Sequence, residues 1–230
     1  MEAVSARRAL RPGKPILSWL DTIAFRIFQK SMTFILKLYF GYRVQGGVPA
    51  KGPFILAANH TSYLDALLVG GASRRRLRFL MTDLFENSRI LGWFFAWNRV
   101  IYVKEDGSNR QMFRDALDSL EAGETLGIFP EGGISDDGRL QPLKPGTLAL
   151  AARKQVPVVP MYVDGAYAAF PRTARLPKPA RITICIGEPI PAAELFPAKL
   201  SRVEALEHGA ALLERRLRAL AERCDGPRQR

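Results

Sequence analysis

From Gly46 onward the chain alternates short apolar runs with stretches of helical periodicity, and few architectures accept that rhythm. Runs at Phe54 to Ala58, Leu77 to Met81, Val100 to Val103, Thr125 to Phe129, Val156 to Tyr162 and Arg181 to Gly187 read as strands. Helical patterns span Leu64 to Gly70, Asp83 to Trp97, about Asn109 to Ala122, and a short piece after Gly146. A continuous apolar run has no polar face, so a strand made from it is covered on both sides, and the intervening helices supply the cover. The pattern predicts an α/β fold: a single αβα domain around a mixed, largely parallel sheet. A last helix, from about Ser201 to Arg223, carries Val203, Leu206, Ala210, Leu213, Leu217 and Leu220 at helical spacing, and Asp225 to Arg230 reads as a frayed tail. A chain of 230 residues has room for one such domain with an accessory segment.

That segment is residues 1–42, set against a catalytic domain over 43–230. Ile16 to Phe40 is dense in Ile, Leu, Phe, Trp and Tyr, interrupted by Asp21, Arg26, Lys30 and Lys37. On a helix this leaves a broad apolar face and a narrow, mostly cationic one. Such a helix suits a membrane interface, with Trp19 and Tyr39 near its ends, and suits equally well a place against the domain's own core. No uncharged apolar run approaches the ~18 residues of a spanning helix, and Met1 to Lys14 lacks the apolar core of a signal peptide. The formal charge of +12 calls for an anionic partner. Nucleic acid is set aside for want of a recognition motif or of interleaved basic and aromatic residues. The expectation is peripheral or monotopic attachment to an anionic membrane at its cytoplasmic face. Cys185 and Cys224 lie far apart in no CxxC pattern, give no disulfide framework, and point to a reducing compartment.

Two strings carry chemistry: NHTSYLD from Asn59 to Asp65, and IFPEGG from Ile128 to Gly133. His60 follows a strand, and Thr61 or Ser62 can cap the next helix, which puts Asp65 in its first turn. Chain reversal there can return the Asp65 carboxylate to one imidazole nitrogen, fixing the tautomer and stabilising the imidazolium formed when His60 takes a proton. No GxSxG nucleophile elbow is present, so the proton donor is a substrate hydroxyl. Asp65 alone could instead serve the helix dipole, and Pro130-Glu131-Gly132 alone could be a tight turn. As a site, Glu131 could accept hydrogen bonds from a polyol, while Gly132 and Gly133 let backbone approach a ligand. His208, within the last helix, reads as structural.

NHTSYLD resembles the HxxxxD motif, and IFPEGG the FPEG motif, of the glycerophospholipid acyltransferases typified by 1-acyl-glycerol-3-phosphate acyltransferases. QVPVVPMYVDG and ITICIGEPI resemble that family's late VPVVP strand and closing GEPI segment, so the likeness covers roughly Gly46 to Pro191. It implies a glycerol-3-phosphate acyltransferase-like fold, His60 as general base, Asp65 as its orienting partner, and Glu131, Gly132 and Gly133 as acceptor-binding residues. The acceptor hydroxyl of a lysophospholipid would attack acyl-CoA or acyl carrier protein directly, with no metal or prosthetic group. The chain departs from the commonest form, FPEGTRS, in reading FPEGGIS, with Ile134 in the arginine's place. RVIYVKE resembles the second motif but ends in Lys104-Glu105 where arginine is usual, and Met81 stands where a basic residue often precedes an acidic-Leu pair. An acceptor phosphate needs cations; Arg99, Lys104, Arg110, Arg139 and Lys144 are available, with Lys104 and Arg99 in the second motif. EGGISDDGRL also resembles the EGxI(S/T)xxGxL variant of acyltransferases that reacylate lysophospholipids. An apolar tunnel would select the acyl chain, with Phe94, Phe95 and Trp97 as candidate walls.

Overall fold

The apolar runs become strands. A computed structural model describes residues 15–82, 92–104 and 109–224. Helix α1 (Pro15–Phe40) leads into β1 (Arg43–Gln45), β2 (Ile55–Ala58), α2 (Asp65–Ala72), β3 (Leu77–Thr82), α3 (Gly92–Trp97) and β4 (Ile101–Val103). Next come α4 (Arg110–Glu121), β5 (Thr125–Ile128), a 3-10 turn over Pro145–Leu148, α5 (Ala149–Lys154) and β6 (Val158–Asp164). The short α6 (Ala166–Ala169), β7 (Thr183–Ile186), the short α7 (Ala192–Leu195) and α8 (Arg202–Cys224) complete the order. Of the helix expected from Asp83 to Trp97, only its last part is described; residues 83–91, Met1 to Lys14 and the tail from Asp225 lie outside the described residues.

The sheet has seven strands in the order β1-β7-β6-β2-β5-β3-β4. Strands β6, β2, β5, β3 and β4 run parallel to one another, and β7 is antiparallel to β6, so the sheet is mixed and largely parallel. Strand β1, short and exposed, pairs with β7 without any apolar run to announce it. Central β2 is buried along its whole length and serves both faces by the two-residue alternation of a strand. Ile55 and Ala57 join the cluster that holds Leu120 of α4, Leu150 of α5 and Leu213 of α8. Leu56 and Ala58 join the one that holds Leu36 and Phe40 of α1 and Leu68 and Val69 of α2. Each fully buried Leu or Ile contributes roughly 1.5–3 kcal/mol, which is why this strand has no room for polar residues.

Helix α1 belongs to the domain along one face and stands free along the other. Gln29 donates from its side-chain amide to the Gly70 and Ser73 carbonyls, Asp21 pairs with Arg76 at 2.8 Å, and the Trp97 indole N–H donates to Asp21 at 2.8 Å. On the opposite face Leu20, Ile23, Ile27, Phe34 and Leu38, three, four or seven residues apart, are exposed, Leu38 by 78%. No helix among the described residues is long and apolar enough to cross a membrane.

The cysteines correct the sequence reading. Cys185 on β7 and Cys224 at the end of α8 are joined by a disulfide, with an S–S distance of 2.07 Å and 5.9 Å between Cα atoms. Thirty-nine residues separate them in sequence. Helix α8 runs back across β6 and β7 and closes that gap, which spacing alone does not reveal.

Candidate active site

Strands β2 and β5 are parallel neighbours with Ala57 beside Ile128, so the residues after each strand emerge side by side at the carboxyl edge of the sheet. This brings Asn59-His60 against Phe129-Pro130-Glu131. Asn59, fully buried, prolongs the ladder with its side chain: its amide donates to the Val163 carbonyl at 3.0 Å and accepts the Val163 N–H at 2.7 Å. The chain can then turn at His60 without leaving β6 unpaired.

His60 Nδ1 lies 2.9 Å from Asp65 Oδ2, and the same oxygen accepts the backbone N–H groups of Thr61 at 2.6 Å and Ser62 at 2.8 Å. The helix start therefore differs from the expected cap. Leu64 is the N-cap residue with no side-chain bond, and Asp65 reaches backward from the first turn to hold the turn before it. Ser62 instead donates from Oγ to the Phe170 carbonyl at 2.7 Å and accepts the Leu64 N–H at 3.1 Å. Because a carboxylate can only accept, the bonded Nδ1 carries the proton, and in the neutral ring this leaves the lone pair on Nε2. Asp65 is fully buried and the His60 side chain is 19% exposed. An imidazole in this state can take a proton from a hydroxyl brought to Nε2.

Stacking sets the imidazole plane. His60 lies on Phe129 with centroids 4.0 Å apart and planes 16° apart, and Phe129 lies on Phe79 at 5.9 Å and 11°. Gly127 permits this. Phe79 pairs with it across β3 and β5, and a Cβ there would meet the Phe79 ring at 2.5 Å.

Glu131 is buried, with Oε1 2.6 Å from the His60 backbone N–H and Oε2 2.7 Å from that of Gln141. Burial pushes its carboxyl up, the two N–H bonds pull it back in part, and the balance is about 7. Gly132 closes a turn by donating to the Phe129 carbonyl at 3.0 Å and adopts φ +73°, where a side chain is strained. Space forbids one too: a Cβ there would lie 2.6 Å from Lys144 Nζ, whereas one on Gly133 would meet nothing within 4 Å. The Lys144 backbone N–H donates to the Pro130 carbonyl at 2.9 Å, which holds this lysine against the turn.

The second-motif cations divide. Arg99 precedes β4, and in a parallel sheet the residue before a strand lies at the edge opposite the residues after it. There Arg99 pairs with Glu124 at 3.2 Å and approaches Asp21 at 4.0 Å, so the structure does not bring it to His60. Lys104 follows β4 and is exposed at the carboxyl edge, three strand positions from β2, about 14 Å at ordinary strand spacing.

An apolar cleft runs between α1, α2, α3 and β3, and its wall residue Phe79 connects it to the histidine through the stacked ring of Phe129. Ala66 and Leu67, directly after Asp65, line it together with Phe28, Phe79, Phe94 and Phe95. Trp97 stands outside the lining, edge-on to Phe28 at 5.4 Å. At the opposite edge Arg76 covers Phe25, another wall residue, at 4.2 Å. The sequence reading missed Asn59, Phe79, Gly127, Phe129 and Ser135. For Asn59, Gly127, Phe129 and Ser135, positions in or near the two strings were the one signal, and Phe79, on β3, had none, because each acts through a partner distant in sequence.

A histidine–aspartate pair at the carboxyl edge of a seven-stranded αβα sheet, with an apolar cleft that begins at the residue after the aspartate, defines the class of protein. The chain belongs to the Acyltransferase family, whose model matches residues 42–164. It is 30% identical over 115 residues to a chloroplastic 1-acyl-sn-glycerol-3-phosphate acyltransferase of Brassica napus, covering 49% of this chain and 33% of that one. With the 1-acyl-sn-glycerol-3-phosphate acyltransferase of Saccharomyces cerevisiae it shares 32% over 125 residues, 50% of this chain and 40% of the other. With Taffazin of Dictyostelium discoideum it shares 32% over 145 residues, 56% and 50% respectively. The chain thus spans between a third and a half of these relatives' lengths. The crystal structure of the 1-acyl-sn-glycerophosphate acyltransferase PlsC from Thermotoga maritima has the same fold, with a TM-score of 0.75 at 22% identity over 95% of this chain and 86% of that one.

Proposed function

We propose that the chain is an O-acyltransferase that moves a fatty acyl group from acyl-CoA or acyl carrier protein to the free hydroxyl of 1-acyl-glycerol-3-phosphate, giving phosphatidate, on an anionic membrane surface. The observation that carries this reading is the Asp65-held, partly exposed His60, separated from the wall of an apolar cleft by the single ring of Phe129. His60 takes the hydroxyl proton as the acceptor oxygen attacks the thioester carbonyl. The tetrahedral intermediate then expels the thiolate, which recovers the proton from the imidazolium. Asp65 opposes the charge His60 acquires, and the acyl chain occupies the cleft. Purified protein given acyl-CoA or acyl carrier protein and a panel of lyso-lipids releases free thiol; absence of release with every acceptor and both donors counts against the activity.

Lys144 supports the phosphate end of the acceptor. Its Nζ lies against Gly132, and among the described residues no carboxylate pairs with it. A charge-assisted hydrogen bond is worth roughly 1.5–3 kcal/mol. Lys144→Ala is therefore expected to raise the KM for 1-acyl-glycerol-3-phosphate by about 10- to 100-fold with kcat little changed, measured by thiol release against acceptor concentration. Ile134 favours a second acceptor: with the family's arginine absent, a lysophospholipid whose phosphate is a singly charged diester needs less cation. Higher kcat/KM with such a lipid than with the monoester would select this reading.

For the membrane, the exposed stripe of α1 is flanked by Arg26, Lys30 and Lys37, and Trp93 of α3 is exposed too, by 68%. An apolar stripe with cations on its flank suits a helix lying in the plane of an anionic interface. Phe34→Glu with Leu38→Glu is expected to abolish pelleting with anionic vesicles while the thermal midpoint stays within a few degrees, since both side chains are exposed.

A further inference from the structure

We propose that Glu131 is a positioning residue for His60 and not a ligand of the acyl acceptor; the inference rests on the acyl-transfer reading of this site. Each of its carboxylate oxygens is held by a backbone N–H, one from His60 and one from Gln141, and the residue is 5% exposed. A carboxylate that receives a glycerol hydroxyl has to show an oxygen to the ligand, and this one is turned into the protein. What it holds is informative. The loop that bears Glu131 also supplies the Ser135 N–H, which donates to the His60 carbonyl at 2.8 Å. The backbone of His60 is thus gripped at both polar groups by one loop, through a side chain on one side and main chain on the other.

The ring is fixed by the same neighbourhood. Asp65 holds Nδ1, and the Phe129 ring, two residues before Glu131, carries the imidazole face. Four contacts therefore determine where Nε2 points, and three come from residues 129–135. The second string is the seat of the base. Charged groups near Glu131 agree with this: His60 and Asp65 face it from the turn between β2 and α2, and Lys144 stands beyond Gly132. The lysine is then the cation left for the ligand, while the glutamate serves the chain.

Displacing a catalytic group by about 1 Å can cost on the order of 10²-fold in rate. Glu131→Ala is expected to lower kcat about 100-fold with the acceptor KM within threefold of the parent. Glu131→Gln, whose amide oxygen can still accept the His60 N–H, is expected to recover about tenfold of that loss. An acceptor ligand behaves otherwise: KM rises tenfold or more in both variants and kcat at saturation is kept. That result overturns the proposal, as does a kcat unchanged in both variants. A second measurement needs no substrate and no turnover. The chain has two histidines, so the ring nitrogen signals of His60 can be assigned by NMR. Loss or broadening of the hydrogen-bonded Nδ1–H signal in Glu131→Ala, with partial return in Glu131→Gln, supports the clamp even if no lyso-lipid proves to be an acceptor. A signal identical in all three proteins overturns it. If Glu131→Ala does not fold, the kinetic split and the ring signal of Glu131→Gln against the parent decide, because that substitution preserves shape.

Discussion

Replacing His60 with alanine is expected to reduce thiol release by about 10²–10⁴-fold, the range supplied by a positioned general base. The protein should remain folded. The imidazole is partly exposed, and its loss removes one stacked contact, worth ~0.5–1.5 kcal/mol, together with one of the bonds to Asp65. Asp65 keeps the Thr61 and Ser62 N–H groups, so its charge is not stranded in the core. In a chain of this size, a loss near 1 kcal/mol lowers the thermal midpoint by about 2–4 °C. A steady-state assay beside a thermal melt separates the two effects. Turnover within threefold of the parent would remove His60 from the chemistry, and a collapsed melt would make the rate loss uninformative.

Why this site could be anticipated, and how far, follows from where its information lies. His60 and Asp65 are five residues apart across one strand-to-helix turn, so local geometry suffices to pair them. The strands were legible for a similar reason: a fully buried strand such as β2 must be apolar at every position, and a run of that kind stands out. Contacts made across the sheet were not legible. That His60 and Glu131 meet depends on β2 and β5 being neighbours, and a list of strands in sequence does not contain their order in space. Arg99 and Lys104 flank one three-residue strand and look equivalent in the sequence, yet strand direction sends them to opposite edges. The antiparallel return of β7 and the crossing of α8 bring Cys185 to Cys224, and no periodicity in the intervening residues records it. Even α1 held two answers at once, because one helix can pack on a core along one face and offer another to a membrane.

The Asp65 carboxylate has two duties that substitution can separate. Its Oδ2 fixes the turn through two backbone N–H groups and faces the imidazole through a third contact, all within 2.6 to 2.9 Å. Asparagine keeps an acceptor oxygen for the backbone donors and for His60 Nδ1–H but removes the charge. The imidazolium formed during transfer then loses a partner worth up to about 4 kcal/mol at 4 Å and an effective dielectric of 20. Asp65→Asn is therefore expected to lower kcat by about 10²–10³-fold with the thermal midpoint within a few degrees of the parent. Alanine removes both duties. It leaves buried N–H groups at Thr61 and Ser62 without an acceptor, at roughly 1–3 kcal/mol each, so Asp65→Ala is expected to lose a further factor in kcat and to melt several degrees lower. Parallel kinetics and melts on the two variants test this: equal rate losses in both would mean that Asp65 acts through the shape of the turn alone, with no electrostatic part in the chemistry.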